Sequence, residues 1–244
     1  MNKSKSVDTP LVKCNEEPEE SETTTYRYRE TIRGLLYLST KTRPDLAQAV
    51  GHGSRYVNNY TKRRITEIKR MFQYLNDTRN QGIQYNDRHD KTKMIAYSDS
   101  DYAGDPDTRK STSGYITFYC GGPIGWCSRR QPVVATSSTE AEYIAAAECT
   151  KEIMYLKTLI EELFGESVNV RLKVDNQSAI KLIKNGVINR RSKHIDVKYH
   201  FVHEELKKGT ISVEYCQSDK QLADLFTKPL GKIKFNTHKN VLVG

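Results

Sequence analysis

Hydrophobic and polar positions change period along this chain, and the changes divide it. From Tyr26 to Thr78 apolar residues recur at helical spacing. One helix is predicted over Arg29–Leu38, and a second opens at Arg43-Pro44-Asp45 with proline at its first position. A third follows Thr61 and puts Ile65, Ile68, Phe72 and Leu75 on one stripe. After Asn76-Asp77 the alternation becomes strand-like over Gln81–Asn86 and Lys93–Asp99. Tyr115–Cys120 and Ile124–Ser128 then flank a Gly121-Gly122-Pro123 turn. Ser137–Phe164 is the longest predicted helix, opened by a Ser137-x-x-Glu140 capping box and stopped by Gly165. A strand (Val168–Asp175), a helix (Ser178–Lys184) and a basic turn (Arg190-Arg191-Ser192-Lys193) come next. A helix with Ile195, Tyr199, Val202 and Leu206 in register follows, then a strand (Thr210–Cys216) and a short helix opened by Ser218-x-x-Gln221. The order from residue 93, β-β-β-α-β-α-α-β-α, predicts an α/β fold: a mixed sheet with helices on its faces, preceded by a small all-α segment.

Composition sharpens this division. Residues 1–25 hold Glu16-Glu17-Pro18-Glu19-Glu20 and a threonine run with little apolar content, and read as a disordered acidic tail. The 244 residues allow one full domain plus a smaller companion, here the helical segment 26–92, which is too small to be stable alone. Residues 232–244 are basic and expected to be a loose tail. A net charge of +9 favours a polyanionic partner. No apolar run approaches the roughly 20 residues that span a bilayer, and the polar N-terminus does not read as a signal peptide. An intracellular protein without a membrane partner is expected. The five cysteines are odd in number, scattered and lack a C-x-x-C pair, so they read as thiols in a reducing compartment.

Four acids stand out, each with a structural alternative beside it. Asp99 ends the run Met94-Ile95-Ala96-Tyr97-Ser98 and shares strand parity with Ile95 and Tyr97, although Ser-Asp-Ser-Asp is also good turn chemistry. Glu142 heads an apolar helix face of Ala145, Ala146, Cys149, Ile153, Leu156 and Ile160, where a carboxylate must be paired, neutral or metal-bound. Its neighbour Glu140 has a capping role to fill. Asp175 closes a valine-rich strand and can equally serve as a helix N-cap. Asp224, on the last short helix, is unremarkable alone. Acids delivered by strand ends and helix starts can meet at one sheet edge, where only cations make such a cluster tolerable. The set fits two-metal phosphoryl chemistry, in which two cations about 4 Å apart activate water and stabilise the departing oxygen.

The blocks around these acids resemble a known family. Tyr97-Ser98-Asp99-Ser100-Asp101-Tyr102-Ala103-Gly104-Asp105 with Arg109-Lys110-Ser111-Thr112-Ser113-Gly114-Tyr115 closely resembles the ribonuclease H domain of copia-type retrotransposon Pol polyproteins. So do Ser137-Ser138-Thr139-Glu140-Ala141-Glu142-Tyr143, Asp175-Asn176-Gln177-Ser178-Ala179, Lys193-His194-Ile195-Asp196-Val197 and Gln221-Leu222-Ala223-Asp224-Leu225-Phe226-Thr227-Lys228-Pro229-Leu230. The resemblance covers residues 93–231. Upstream, Gly34-Leu35-Leu36-Tyr37-Leu38 and Thr42-Arg43-Pro44-Asp45-Leu46-Ala47 are similar to the C-terminal helical part of the same element's reverse transcriptase.

The resemblance implies a ribonuclease H-like fold with a mixed five-stranded sheet. It also implies hydrolysis of the RNA strand of RNA–DNA hybrids with two Mg²⁺ or Mn²⁺ ions, and the rest of a Pol polyprotein as partner. Its metal-binding acids map onto Asp99, Glu142, Asp175 and Asp224, and its hybrid contacts onto Ser138 and Gln177. Arg190, Arg191 and Lys193 are read as phosphate contacts, with a solvated helix entry as the alternative. Cytoplasmic virus-like particles or the nucleus are the implied locations. The chain holds no Asp-Asp pair of a polymerase centre, so reverse transcription by it alone is not expected, and a fragmentary or repurposed copy is. The competing expectation is a catalytically silent nucleic-acid-binding remnant.

Overall fold

A computed structural model describes residues 6–13, 26–86, 90–186 and 200–244. Its helical elements begin with α1 (Tyr28–Lys41), a 3-10 turn (Pro44–Leu46), α2 (Ala47–Ser54) and α3 (Lys62–Asp77). Then come β1 (Lys93–Asp101), β2 (Thr112–Tyr119), β3 (Gly122–Arg130), α4 (Ser138–Phe164), β4 (Asn169–Val174) and α5 (Gln177–Asn185). The chain finishes with α6 (Phe201–Lys207), β5 (Ile211–Tyr215), α7 (Asp224–Thr227) and α8 (Lys232–Leu242). Two compact units result, Met1–Gln84 with Lys228–Gly244, and Tyr85–Thr227.

The second unit is built on a five-stranded sheet in the order β3-β2-β1-β4-β5. β1–β2 and β2–β3 pair antiparallel, whereas β1–β4 and β4–β5 pair parallel. This mixed five-stranded sheet with flanking helices is the arrangement expected from the sequence. Helix α4 covers one face because its small residues permit close approach. Ala146, Ala147 and Cys149 meet Met94 and Ala96 of β1 in a core that continues through Ile153 to Leu172 and Val174 of β4. Gly125 of β3 leaves room for α4 as well, since a Cβ there would lie 3.0 Å from Leu156 Cδ1. The β2–β3 turn falls one residue earlier than the sequence pattern predicts. Cys120 (φ 49°) and Gly121 (φ 79°) are its central residues, both with positive φ as a type I′ hairpin requires.

Four expectations about the tails and the helical segment are corrected by the structure. Residues 232–244 are not a loose tail: α8 buries Phe235, His238, Lys239 and Leu242, an i, i+3, i+4, i+7 stripe, and Phe235 meets Tyr74 edge-on at 5.8 Å. Residues 81–86 do not form a strand; Gly82 instead exchanges two 3.1 Å backbone hydrogen bonds with Gly244. Within the expected N-terminal tail, residues 6–13 are ordered. Val7 N–H donates to Asp77 Oδ2 (2.9 Å), Thr9 Oγ1 accepts from Arg70 (3.0 Å), and Leu11 is buried. The acidic run 16–20 lies outside the described residues. On α3 the buried face is Ile65, Ile68, Met71 and Tyr74, so Phe72 and Leu75 sit beside the stripe rather than in it.

Candidate functional site

The register of the parallel strands β1 and β4 brings Asp99 and Asp175 together. Lys93 pairs with Asn169 and Tyr97 with Lys173. Continued by two residues, that register sets Asp99 beside Asp175, on strands about 4.8 Å apart. β4 stops at Val174, one residue short of Asp175, whereas β1 runs on to Asp101. The Ser100 amide is therefore not taken up by the β1–β4 ladder, and it donates to Glu142 Oε1 (3.1 Å). That hydrogen bond draws the Glu142 carboxylate from the first turns of α4 to the strand carrying Asp99. Asp99, Glu142 and Asp175 each offer a carboxylate oxygen within 4.8 Å of the other two, and they are the one such ligand group among the described residues.

The capping of α4 and α5 falls to residues beside these acids. Asn176, not Asp175, caps α5, its side chain accepting from Ala179 N–H (2.9 Å). Asp175 Oδ2 instead accepts from the Ser218 hydroxyl (2.9 Å). Glu140 does have a structural role, with a shift from the predicted box. Ser137 Oγ accepts from Glu140 N–H (3.2 Å), but the Glu140 carboxylate takes the Thr136 N–H (2.7 Å) and hydroxyl (2.6 Å). Gln131, unnoticed in the sequence, ties the start of α4 to the sheet by donating to Ala141 O (2.9 Å) and Ser113 Oγ (3.0 Å).

Three carboxylates at this distance are electrostatically costly. Glu142 is only 5% exposed. Burial, and then the charges of Asp99 and Asp175, push its carboxyl well above the usual carboxylate range. Its Oε2 is buried and meets no hydrogen-bond donor among the described residues. A buried, donor-poor oxygen between two further carboxylates has the chemistry of a hard-cation ligand set, so these residues fit a divalent metal ion.

Asp224 does not fall within the three-acid envelope. It is buried at the start of α7, a helix held against the same strands. Gln221 donates to Ser98 O (3.0 Å) and the Thr227 hydroxyl donates to Asp99 Oδ2. α7 sits over Gly114, which pairs with Asp99 on β2: a Cβ at Gly114 would lie 2.7 Å from Thr227 Cγ2 and 2.8 Å from Phe226 Cβ. Gly114→Ala is therefore expected to cost about 1–3 kcal/mol by overpacking, readable as a lower melting temperature of this unit. Unchanged stability would show that α7 is not seated this tightly.

Ser138 and Gln177 are the exposed first residues of α4 and α5, the elements that carry or follow Glu142 and Asp175. Arg190, Arg191, Lys193, His194 and Asp196 lie outside the described residues. His200 and His203 have packing contacts, with Tyr143 OH (3.4 Å) and Ile183 O (2.7 Å). Cys149 is buried in the core and Cys216 is buried, and both are free thiols. No helix among the described residues is long and apolar enough to cross a membrane. Sequence reasoning missed Gly114, Ser218, Gln221 and Thr227 as neighbours of the acids. Their signal was proximity in sequence to Asp224 or pairing opposite Asp99, and pairing is invisible before the register is known.

Sheet order and flanking helices make this an α/β protein with a mixed five-stranded sheet, the architecture that the sequence resemblance implies. No protein-family model matches the chain. It is 38% identical over 215 residues, 88% of its length, to the retrovirus-related Pol polyprotein from transposon TNT 1-94 of Nicotiana tabacum. It is 37% identical over 214 residues, 85% of its length, to the corresponding polyprotein from transposon RE1 of Arabidopsis thaliana. The chain is thus homologous over most of its length to transposon Pol polyproteins, and it spans 16% and 14% of the length of those two relatives. Among solved structures it is similar to the N-terminal RNase H domain of a Mycobacterium tuberculosis protein, determined as a fusion with maltose-binding protein. That match has 10% identity and a TM-score of 0.42, covering 61% of this chain and 97% of that one. The structural likeness is slight, and the sequence relatives carry the assignment.

Proposed function

We propose that this chain is a divalent-metal-dependent ribonuclease that hydrolyses the RNA strand of RNA–DNA hybrids, as part of, or derived from, a transposon Pol polyprotein. One observation supports the reading above all: Asp99, Glu142 and Asp175 converge within 4.8 Å at the ends of neighbouring elements. Asp99, Glu142, Asp175 and Asp224 are the proposed ligands of Mg²⁺ or Mn²⁺, two ions in the complete site. Metal bound there would supply an activated water and stabilise the departing oxygen. Asp99 on β1 and Asp175 just past the end of β4 hold their carboxylates near one another. Glu142, anchored through Oε1 to the Ser100 amide, keeps Oε2 turned into a donor-poor interior. Ser138 and Gln177, at helix starts where backbone N–H groups favour anions, are proposed to hold the hybrid's sugar–phosphate edge. Arg190, Arg191 and Lys193 are proposed to add phosphate contacts. The partners are then an RNA–DNA hybrid and the remainder of a Pol polyprotein, inside the cell, in the cytoplasm or nucleus.

The test is cleavage of end-labelled RNA in a hybrid by purified protein, with Mg²⁺ or Mn²⁺ and then with excess chelator. Cleavage that stops on chelation supports the proposal, and no cleavage with either metal sinks it. One observation favours a second reading, a silent nucleic-acid binder: Asp224 stands outside the three-acid envelope. That alternative predicts salt-sensitive hybrid binding without turnover.

A further inference from the structure

The Thr227 hydroxyl donates to Asp99 Oδ2 from a residue that is itself 2% exposed. Nothing in the acid set needs a hydroxyl at that point, and a methyl-bearing side chain without one would pack equally well against Gly114. The residue is held there from three sides. Gln221 pins the preceding segment to Ser98 O, one residue from Asp99. Gly114, paired with Asp99, leaves just the space that Thr227 Cγ2 and Phe226 Cβ fill. Thr227 Oγ1 also lies 3.3 Å from Asp224 O, its own helix's first carbonyl. One short helix thus brings Asp224 to the strands and turns a buried donor onto the neighbouring acid.

We propose that Thr227 is a positioning residue: its hydroxyl fixes the orientation of the Asp99 carboxylate so that the acid cluster accepts a divalent cation without first reordering. This rests on the metal-binding reading given above. A carboxylate free to rotate among like charges turns away from them, and a cation must then draw it back. A donor on one oxygen removes that freedom, and partners of this kind are worth about 10–100-fold in metal affinity. Ser218 holds Asp175 Oδ2 similarly, but it is exposed, so water replaces it when it is removed. The two hydroxyls are therefore predicted to differ sharply in effect.

The experiment is a Mn²⁺ titration of the full chain, with unbound Mn²⁺ followed by electron paramagnetic resonance. Wild type, Asp99→Asn, Thr227→Val, Thr227→Ser and Ser218→Ala are compared, with melting in chelator as a check on folding. Wild type should bind and Asp99→Asn should not. Thr227→Val should bind about 10–100-fold more weakly, while Thr227→Ser and Ser218→Ala should stay within about threefold of wild type, on the order of half a kcal/mol. Should Thr227→Val fail to fold, Thr227→Ala, which also lacks the donor, is judged by the same criterion. Wild type binding with Thr227→Val unchanged overturns the positioning role alone. No binding by wild type overturns the metal reading and this inference together. Weakening by Thr227→Ser equal to that by Thr227→Val also overturns it, because packing rather than the hydroxyl would then matter.

Discussion

Asp175→Asn is expected to lower hydrolysis of the RNA strand in a hybrid by at least about a thousandfold, since a metal ligand contributes several kcal/mol of charge stabilisation and each 1.36 kcal/mol is tenfold in rate. The substitution preserves shape, and an asparagine oxygen can still accept from Ser218, which now bonds Asp175 Oδ2 at 2.9 Å. Asn176 continues to cap α5, so the helix start is untouched. Hybrid affinity in metal-free buffer should therefore stay within about threefold, because phosphate contacts made by basic side chains carry most of it. Single-turnover cleavage and fluorescence anisotropy separate the two quantities. A variant that cleaves within tenfold of wild type would remove Asp175 from the reaction. Loss of binding together with cleavage would instead make it a structural residue.

Glu142→Gln is expected to stabilise the metal-free protein while abolishing its stabilisation by Mg²⁺. Burial and the neighbouring Asp99 and Asp175 charges raise the Glu142 carboxyl well above its ordinary 4.5. A carboxyl whose folded-state pKa is raised binds its proton more tightly when folded. Its contribution is therefore most favourable below about pH 4.5, where both states are protonated. Stability is lost as pH rises from there toward the folded-state value, because unfolding lets the group ionise freely. Glutamine cannot ionise, and its amide can donate to either aspartate. The gain over wild type should grow with pH above about 4.5 and reach roughly 1–3 kcal/mol, the scale of an unsatisfied buried polar group, or about 2–10 °C in melting temperature. Trp126 on β3 is the chain's only tryptophan, so its fluorescence follows the unfolding of the sheet unit. Millimolar Mg²⁺ should raise wild-type stability by mass action and leave Glu142→Gln unmoved. A variant less stable than wild type throughout pH 5–8 would contradict this account of the cluster.

Helix starts and the order of strands were legible in the sequence because they depend on local chemistry. Ser137 before an apolar run and Gly165 after one act within a few residues of themselves, whereas the cap of α5 falls on Asn176 rather than on Asp175. The buried face behind Glu142 was legible for the same reason, since every position from Ala145 to Ile160 on that stripe follows from helical period. The tails were less legible. The stripe Phe235, His238, Lys239, Leu242 contains two basic residues, so composition suggested solvent, and only packing against Tyr74 and its neighbours reveals the burial. Which face Asp99 shares with the core was not legible from parity alone: Ile95 and Tyr97 are partly exposed, and the core side of β1 is Met94 and Ala96.

The sequence by itself determined which acids were available, on which kinds of element, and the family that their flanking blocks resemble. The tertiary structure alone decided that Asp99 and Asp175 lie level, because strand register between segments some 75 residues apart is set by packing of the whole sheet, not by either strand. It also decided that β4 ends early enough to free the Ser100 amide for Glu142, and that α7 descends on Gly114 to set Thr227 on Asp99. Long-range hydrogen bonds leave no local periodicity, so their partners emerge only when the chain is folded.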